Sequence, residues 1–141
     1  VKKIITKPQL FFLSLIPIVL IAGLLNKGDN ALFIYEDIYI VMDVWYISIL
    51  SAVFFFLICI NYYVLTSNKK PLKSTLTILH IVLQFIVFIP LLYYFFVSGP
   101  DYNGVDGFDT NLMISLAFLV FLLATVIHFI NFFISLLSKK Q

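Results

Sequence analysis

The chain has 141 residues, 62% of them hydrophobic and 11% charged, and carries a net charge of +2. A soluble domain devotes about a quarter of its residues to charges, so a cytosolic enzyme is excluded as a first reading and a polytopic helical membrane protein is expected. The positive balance does not point to nucleic acid either, because the lysines sit at the edges of apolar runs and form no basic stripe with interleaved aromatics.

A helix needs about 20 predominantly apolar residues to cross a hydrocarbon core about 30 Å thick, and the sequence supplies four such runs. The first covers 8–25, behind Lys2, Lys3 and Lys7, and is broken only by Ser14, Pro17 and Gly23. No Ala-x-Ala-like cleavage pattern follows Gly23 and three more runs come after it, so it reads as a retained membrane helix rather than a signal peptide. Pro17 should bend it. The second run covers 43–65, with Trp45 and Tyr46 at one end and Tyr62 and Tyr63 at the other, where amphipathic rings suit the two interfaces. If its first turns begin near Asp37, Asp43 and Tyr39 share a helical face. The single cysteine, Cys59, lies in this run, which excludes an intrachain disulfide and a thiolate cluster; it reads as a small apolar side chain. The third run, 74–98, is entered after Lys69, Lys70, Pro71 and Lys73 and left through Tyr93, Tyr94, Gly99 and Pro100. The fourth, 110–137, stops at Lys139 and Lys140 and has room for tilt. The expected fold is all-α, a four-transmembrane-helix bundle in one integral membrane domain, 1–141.

Lysine-rich connections stay on the cytoplasmic side. Eight of the nine lysines fall at the amino terminus, in the 69–73 connection and at the carboxyl terminus, whereas the carboxylates Asp29, Glu36, Asp37, Asp43, Asp101, Asp106 and Asp109 all lie in or beside the other two connections. Both termini are therefore expected in the cytoplasm, with the chain in the inner (cytoplasmic) membrane. Its first partner is the lipid bilayer.

The segment Asp37-Ile38-Tyr39-Ile40-Val41-Met42-Asp43-Val44-Trp45-Tyr46-Ile47 resembles the start of the haem-ligand helix in subunit I of the haem-copper oxidases, which include cytochrome c oxidase. That family carries Asp-Thr-Tyr-aromatic-Val-Val-Ala-His-aromatic-His-Tyr. Asp37, Tyr39 and Val41 match it, Ile38 replaces the threonine and Asp43 the alanine, and the two family histidines fall on Val44 and Tyr46. Leu79-His80-Ile81 is similar to the opening of the family's next helix, Ser98-Gly99-Pro100 takes the place of its Gly-Met-Pro turn, and Asp101 and Tyr102 followed by Asn111 and Ser115 are similar to its Tyr-Pro-Asp and Trp-Asn-x-x-Ser arrangement. The resemblance spans residues 30–137 and implies a shortened version of the last three helices of subunit I. With no ligand at Val44 or Tyr46, it further implies a non-catalytic protein, an accessory or assembly component that packs against other integral membrane subunits.

Among residues able to hold a redox centre, only His80 and His128 offer imidazoles. Each lies four to nine residues from the lysine-bearing end of its helix, a depth of about 9 to 14 Å at the α-helical rise. A bis-histidine haem between them is one reading and makes the protein a small membrane electron carrier, though no small residues flank either histidine to make room for a macrocycle. The plainer reading is an intramembrane polar network. Asn61, His80, Gln84, His128 and Asn131 all occur toward the lysine-bearing ends, and the pairs 80/84 and 128/131 each share a helical face. Glu36, Asp37 and Asp43 form the densest acidic group and suggest a hard-cation site, but such ions want six or more oxygens. Asp101, Asp106 and Asp109 lack the spacing of a twelve-residue calcium loop. No histidine is within reach of a carboxylate in a membrane-spanning fold, which argues against a catalytic triad. A small transporter or channel subunit is a third reading, for which the polar residues are too few to line a path. The expectation is therefore no cofactor, no metal and no catalytic residue.

Overall fold

The computed structural model describes the backbone of residues 7–35, 38–97 and 110–138, and the side chains of 7–30, 41–92 and 115–138. Within them the chain forms α1 (Pro8–Leu25), β1 (Asn30–Tyr35), β2 (Ile38–Asp43), α2 (Val44–Ser67), α3 (Ser74–Val97) and α4 (Thr110–Leu137). All four helices contain a stretch long and apolar enough to cross a membrane.

Local chemistry sets the helix ends. Pro8 sits in the first turn of α1, where its missing N–H costs nothing, and the helix runs on through Pro17. At its end the Asn26 side chain donates to Ala22 O at 2.8 Å, and Gly28, at φ 97, turns the chain. The start of α2 is capped by Asp43, whose carboxylate accepts the Trp45 N–H at 2.7 Å. It ends where the Asn68 side chain donates to Val64 O at 2.8 Å, Lys69 adopts φ 53, and Pro71 closes off any continuation.

Residues 38–43 are extended, which corrects the expectation that helical turns begin near Asp37. They form the second strand of an antiparallel hairpin with register Asn30↔Asp43 to Tyr35↔Ile38, closed at its base by the Val44 N–H donating to Asp29 O at 3.0 Å. The run Ile38-Tyr39-Ile40-Val41 is β-branched and aromatic and favours strand, while Asp43 is better placed as a helix cap than in a helix interior. There is thus no helical face shared by Tyr39 and Asp43. Glu36 and Asp37, which join the strands, lie outside the described residues.

Helix α1 packs along α2, and α3 along α4; α1 also meets α3, and α2 meets α4. The two halves of this interior differ in chemistry. Helix α1 buries Phe12, Leu15, Val19 and Ala22, and α2 answers with Ala52, Phe55 and Ile58. A close approach at Gly23 lets α1 sit directly on Ser48, which is held inward by its own bond to Val44 O at 3.0 Å. Helices α3 and α4, by contrast, bury polar side chains: Thr77, His80 and Gln84 on one, His128, Asn131 and Ser135 on the other. Their outward faces, and those of α1 and α2, carry large apolar residues such as Ile21, Phe56, Phe85 and Phe133. A bundle whose outer faces are apolar and whose buried polar groups are gathered inside is built for lipid.

Candidate functional site

The buried polar side chains follow helical spacing. On α3 they stand at positions 77, 80 and 84; on α4 at 128, 131 and 135. These are single stripes, and the antiparallel packing brings them face to face in layers. In one layer the Asn131 amide donates to Thr77 Oγ1 at 2.9 Å. In the next, the His80 and His128 rings lie against each other with centroids 4.8 Å apart and planes tilted by 33°.

Helices α1 and α2 complete the surroundings of the two imidazoles. Tyr62 Oη lies 2.9 Å from His80 Nδ1, and Phe12 stacks on the His80 ring at 4.9 Å. The Asn61 amide meets His128 Nε2 at 3.2 Å, and the Tyr62 ring meets the edge of His128 at 5.0 Å. An amide NH2 only donates, so Nε2 of His128 accepts and the neutral ring carries its proton on Nδ1. The Tyr62 phenol can donate to His80 Nδ1 or accept from it, and the His80 tautomer follows that choice. Among the described residues, the buried polar atoms Gln9 Oε1, His80 Nε2, Gln84 Oε1, His128 Nδ1, Asn131 Oδ1 and Ser135 Oγ make no hydrogen bond.

Of the five residues grouped from the sequence, Asn61, His80 and His128 thus share one cluster, Asn131 joins it through Thr77, and Gln84 stands one turn farther along the His80 stripe. Tyr62, Thr77, Phe12 and Ser135 are further members that the structure adds. Tyr62 is read from the sequence as an interfacial ring, yet it is 1% exposed while its neighbour Tyr63 is 60% exposed. The adjacent tyrosines leave the helix in different directions and only one finds the interior. Thr77 and Ser135 simply extend the stripes by one turn, a signal the spacing already held.

A haem does not fit between the histidines. An iron bound by both needs their nitrogens aimed at it from opposite faces of the macrocycle, whereas these rings touch, Phe12 covers His80, and His128 Nε2 is engaged by Asn61. Among the described residues there is no group of three or more His, Cys, Asp or Glu side chains able to hold a metal ion. Asp43 is the cap of α2, and Glu36 and Asp37, its proposed companions, lie outside the described residues, as do Asp101, Asp106 and Asp109. Cys59, half-buried, donates its thiol to Gln9 O at 3.4 Å, linking α2 to α1. The family-like positions Tyr39 and Val41 lie in β2, and Val44 and Tyr46, where the family's histidines would fall, open α2 with Val44 buried and Tyr46 exposed.

The polar stripes stop partway along the bundle. Beyond Gln84 the next inward residue of α3 is Phe88, and beyond His128 that of α4 is Ala124. Phe88 packs edge-on against Phe55, and with Leu15 and Val19 they form an apolar plug. Polar groups therefore occupy the half of the bundle nearest Lys7 and Lys70, and the described carboxylates, Asp29 and Asp43, stand at the other end. Among the described residues no histidine and carboxylate come within hydrogen-bond reach, and no polar lining runs through. The chain is an integral-membrane bundle, and no protein-family model, curated protein or solved structure matches it.

Proposed function

We propose that this protein is a non-catalytic accessory or assembly component of a larger membrane complex, working through helix packing. The observation that carries this reading is the inward turn of the chemistry: the imidazoles, amides and hydroxyls of α3 and α4 face one another inside the bundle, leaving the outer helical faces as what the protein offers to its surroundings. Polar contacts between membrane helices fix their register and hold a particular packing surface in shape. The haem-carrier reading is disfavoured by the touching rings, and the channel reading by the apolar plug.

Two further parts belong to the proposal. The chain sits in the inner membrane with both termini cytoplasmic, supported by the sorting of lysines and carboxylates. It is also a shortened relative of the last helices of oxidase subunit I, supported by the matches at Asp37, Tyr39 and Val41, and the absence of histidine at positions 44 and 46 supports its being non-catalytic. Purification of the tagged protein from its native membrane in a mild detergent is expected to bring down a stoichiometric integral membrane partner. Consistent isolation of the chain alone would remove the accessory role.

A further inference from the structure

We infer that the facing stripes of α3 and α4 enclose a blind file of bound water, open toward the lysine-bearing end and closed at Gln84. The inference begins from the unpartnered atoms, His80 Nε2, Gln84 Oε1, His128 Nδ1, Asn131 Oδ1 and Ser135 Oγ. All belong to side chains no more than 2% exposed. Each such atom costs about 1 to 3 kcal/mol if left dry, and lipid supplies no substitute partner.

The identity of the ligand follows from the mixture of roles. The Asn61 NH2 leaves His128 Nδ1 as an N–H donor, the two amide oxygens are acceptors, the Ser135 hydroxyl is both, and His80 Nε2 takes the role opposite to the one its Nδ1 plays toward Tyr62. A cation is repelled by the donors and an anion by the carbonyl oxygens. A small neutral molecule that donates and accepts satisfies all five, and water, with about three hydrogen bonds per buried molecule, is the one small enough to thread between packed helices.

Placement gives the file a direction. Ser135 lies two turns from His128 toward the end of α4, and Gln84 lies one turn from His80 the other way. Antiparallel packing makes the whole about 16 Å long at the α-helical rise. At its inner limit stand Ala124, Phe88 and Phe55, so water reaches the histidines from one side only. This inference is independent of any accessory role; it takes only the bundle's interior.

Water-edited solid-state NMR on histidine- and phenylalanine-labelled protein in liposomes tests it. Both imidazoles are expected to receive magnetisation from water on a timescale that leaves the buried ring of Phe55 untouched. Changing Ser135→Leu, which plugs the outer mouth, is expected to slow the transfer to His128 several-fold. Rings as dry as Phe55 in the unaltered protein would overturn the file. Transfer in the Ser135→Leu variant equal to that of the unaltered protein would overturn its opening at the lysine-bearing end.

Discussion

A β-carbon added at position 23 would collide with the Ser48 side chain, so Gly23 is fixed by the closeness of α1 and α2 rather than by backbone freedom. Gly23→Ala is expected to destabilise the bundle by about 1 to 3 kcal/mol, the usual range for overpacking, in denaturant titrations in mixed micelles. A second change, Ser48→Gly, should restore most of that loss, because it empties the space the new methyl needs. An unchanged midpoint for Gly23→Ala would show that the helices do not approach so closely. At this scale the sequence was informative about residue type but not about neighbours. The 80/84 and 128/131 spacings identify inward polar positions on each helix, and only the register of α3 against α4 shows that His80 meets His128 and Thr77 meets Asn131. Tyr62 and Tyr63 are alike as letters; burial separates them.

Apolar run length locates four helices with little ambiguity, since a membrane span leaves few alternatives. The hairpin is harder to read. The strand residues 31–35 and 38–42 carry no charge and run on into the apolar helix that follows, and hydropathy does not distinguish such a strand from the first turns of a span. Asp43 and the β-branched run before it were the usable signals. Ends of elements also hold the bundle together: Lys70, in the connection after α2, donates through Nζ to Leu136 O at 2.8 Å and to Ser138 O at 2.7 Å. It caps the last carbonyls of α4, where a cation also favours the helix dipole. Lys70→Met is expected to lower stability by about 0.5 to 1.5 kcal/mol and to speed hydrogen exchange in the last turn of α4, with Lys70→Arg retaining part of the effect. Unaltered exchange at that end would contradict the capping role.

For the whole molecule, the division between an apolar α1/α2 half and a polar α3/α4 half is what the average composition conceals. Mean hydropathy is similar for all four spans, while the buried side chains are mostly apolar on α1 and α2 and mostly polar on α3 and α4. Charge sorting is the basis of the proposed orientation. In a Cys59→Ser background, a cysteine at Lys69 should react with a membrane-impermeant maleimide only in inverted vesicles, and one at Asp29 only from the opposite side. Labelling of both positions from the same side would exclude the four-span path, and exchange of the two sides would invert the proposed orientation.

The central claim is that His80 and His128 are packed against each other as parts of the bundle's interior and are not ligands of a redox centre. It is tested most directly by the absorption spectrum of the detergent-purified protein, oxidised and dithionite-reduced, after expression with ample haem supply. The account predicts no band in the Soret region in either state; a stoichiometric band that shifts on reduction and is lost on His80→Ala or His128→Ala would contradict it.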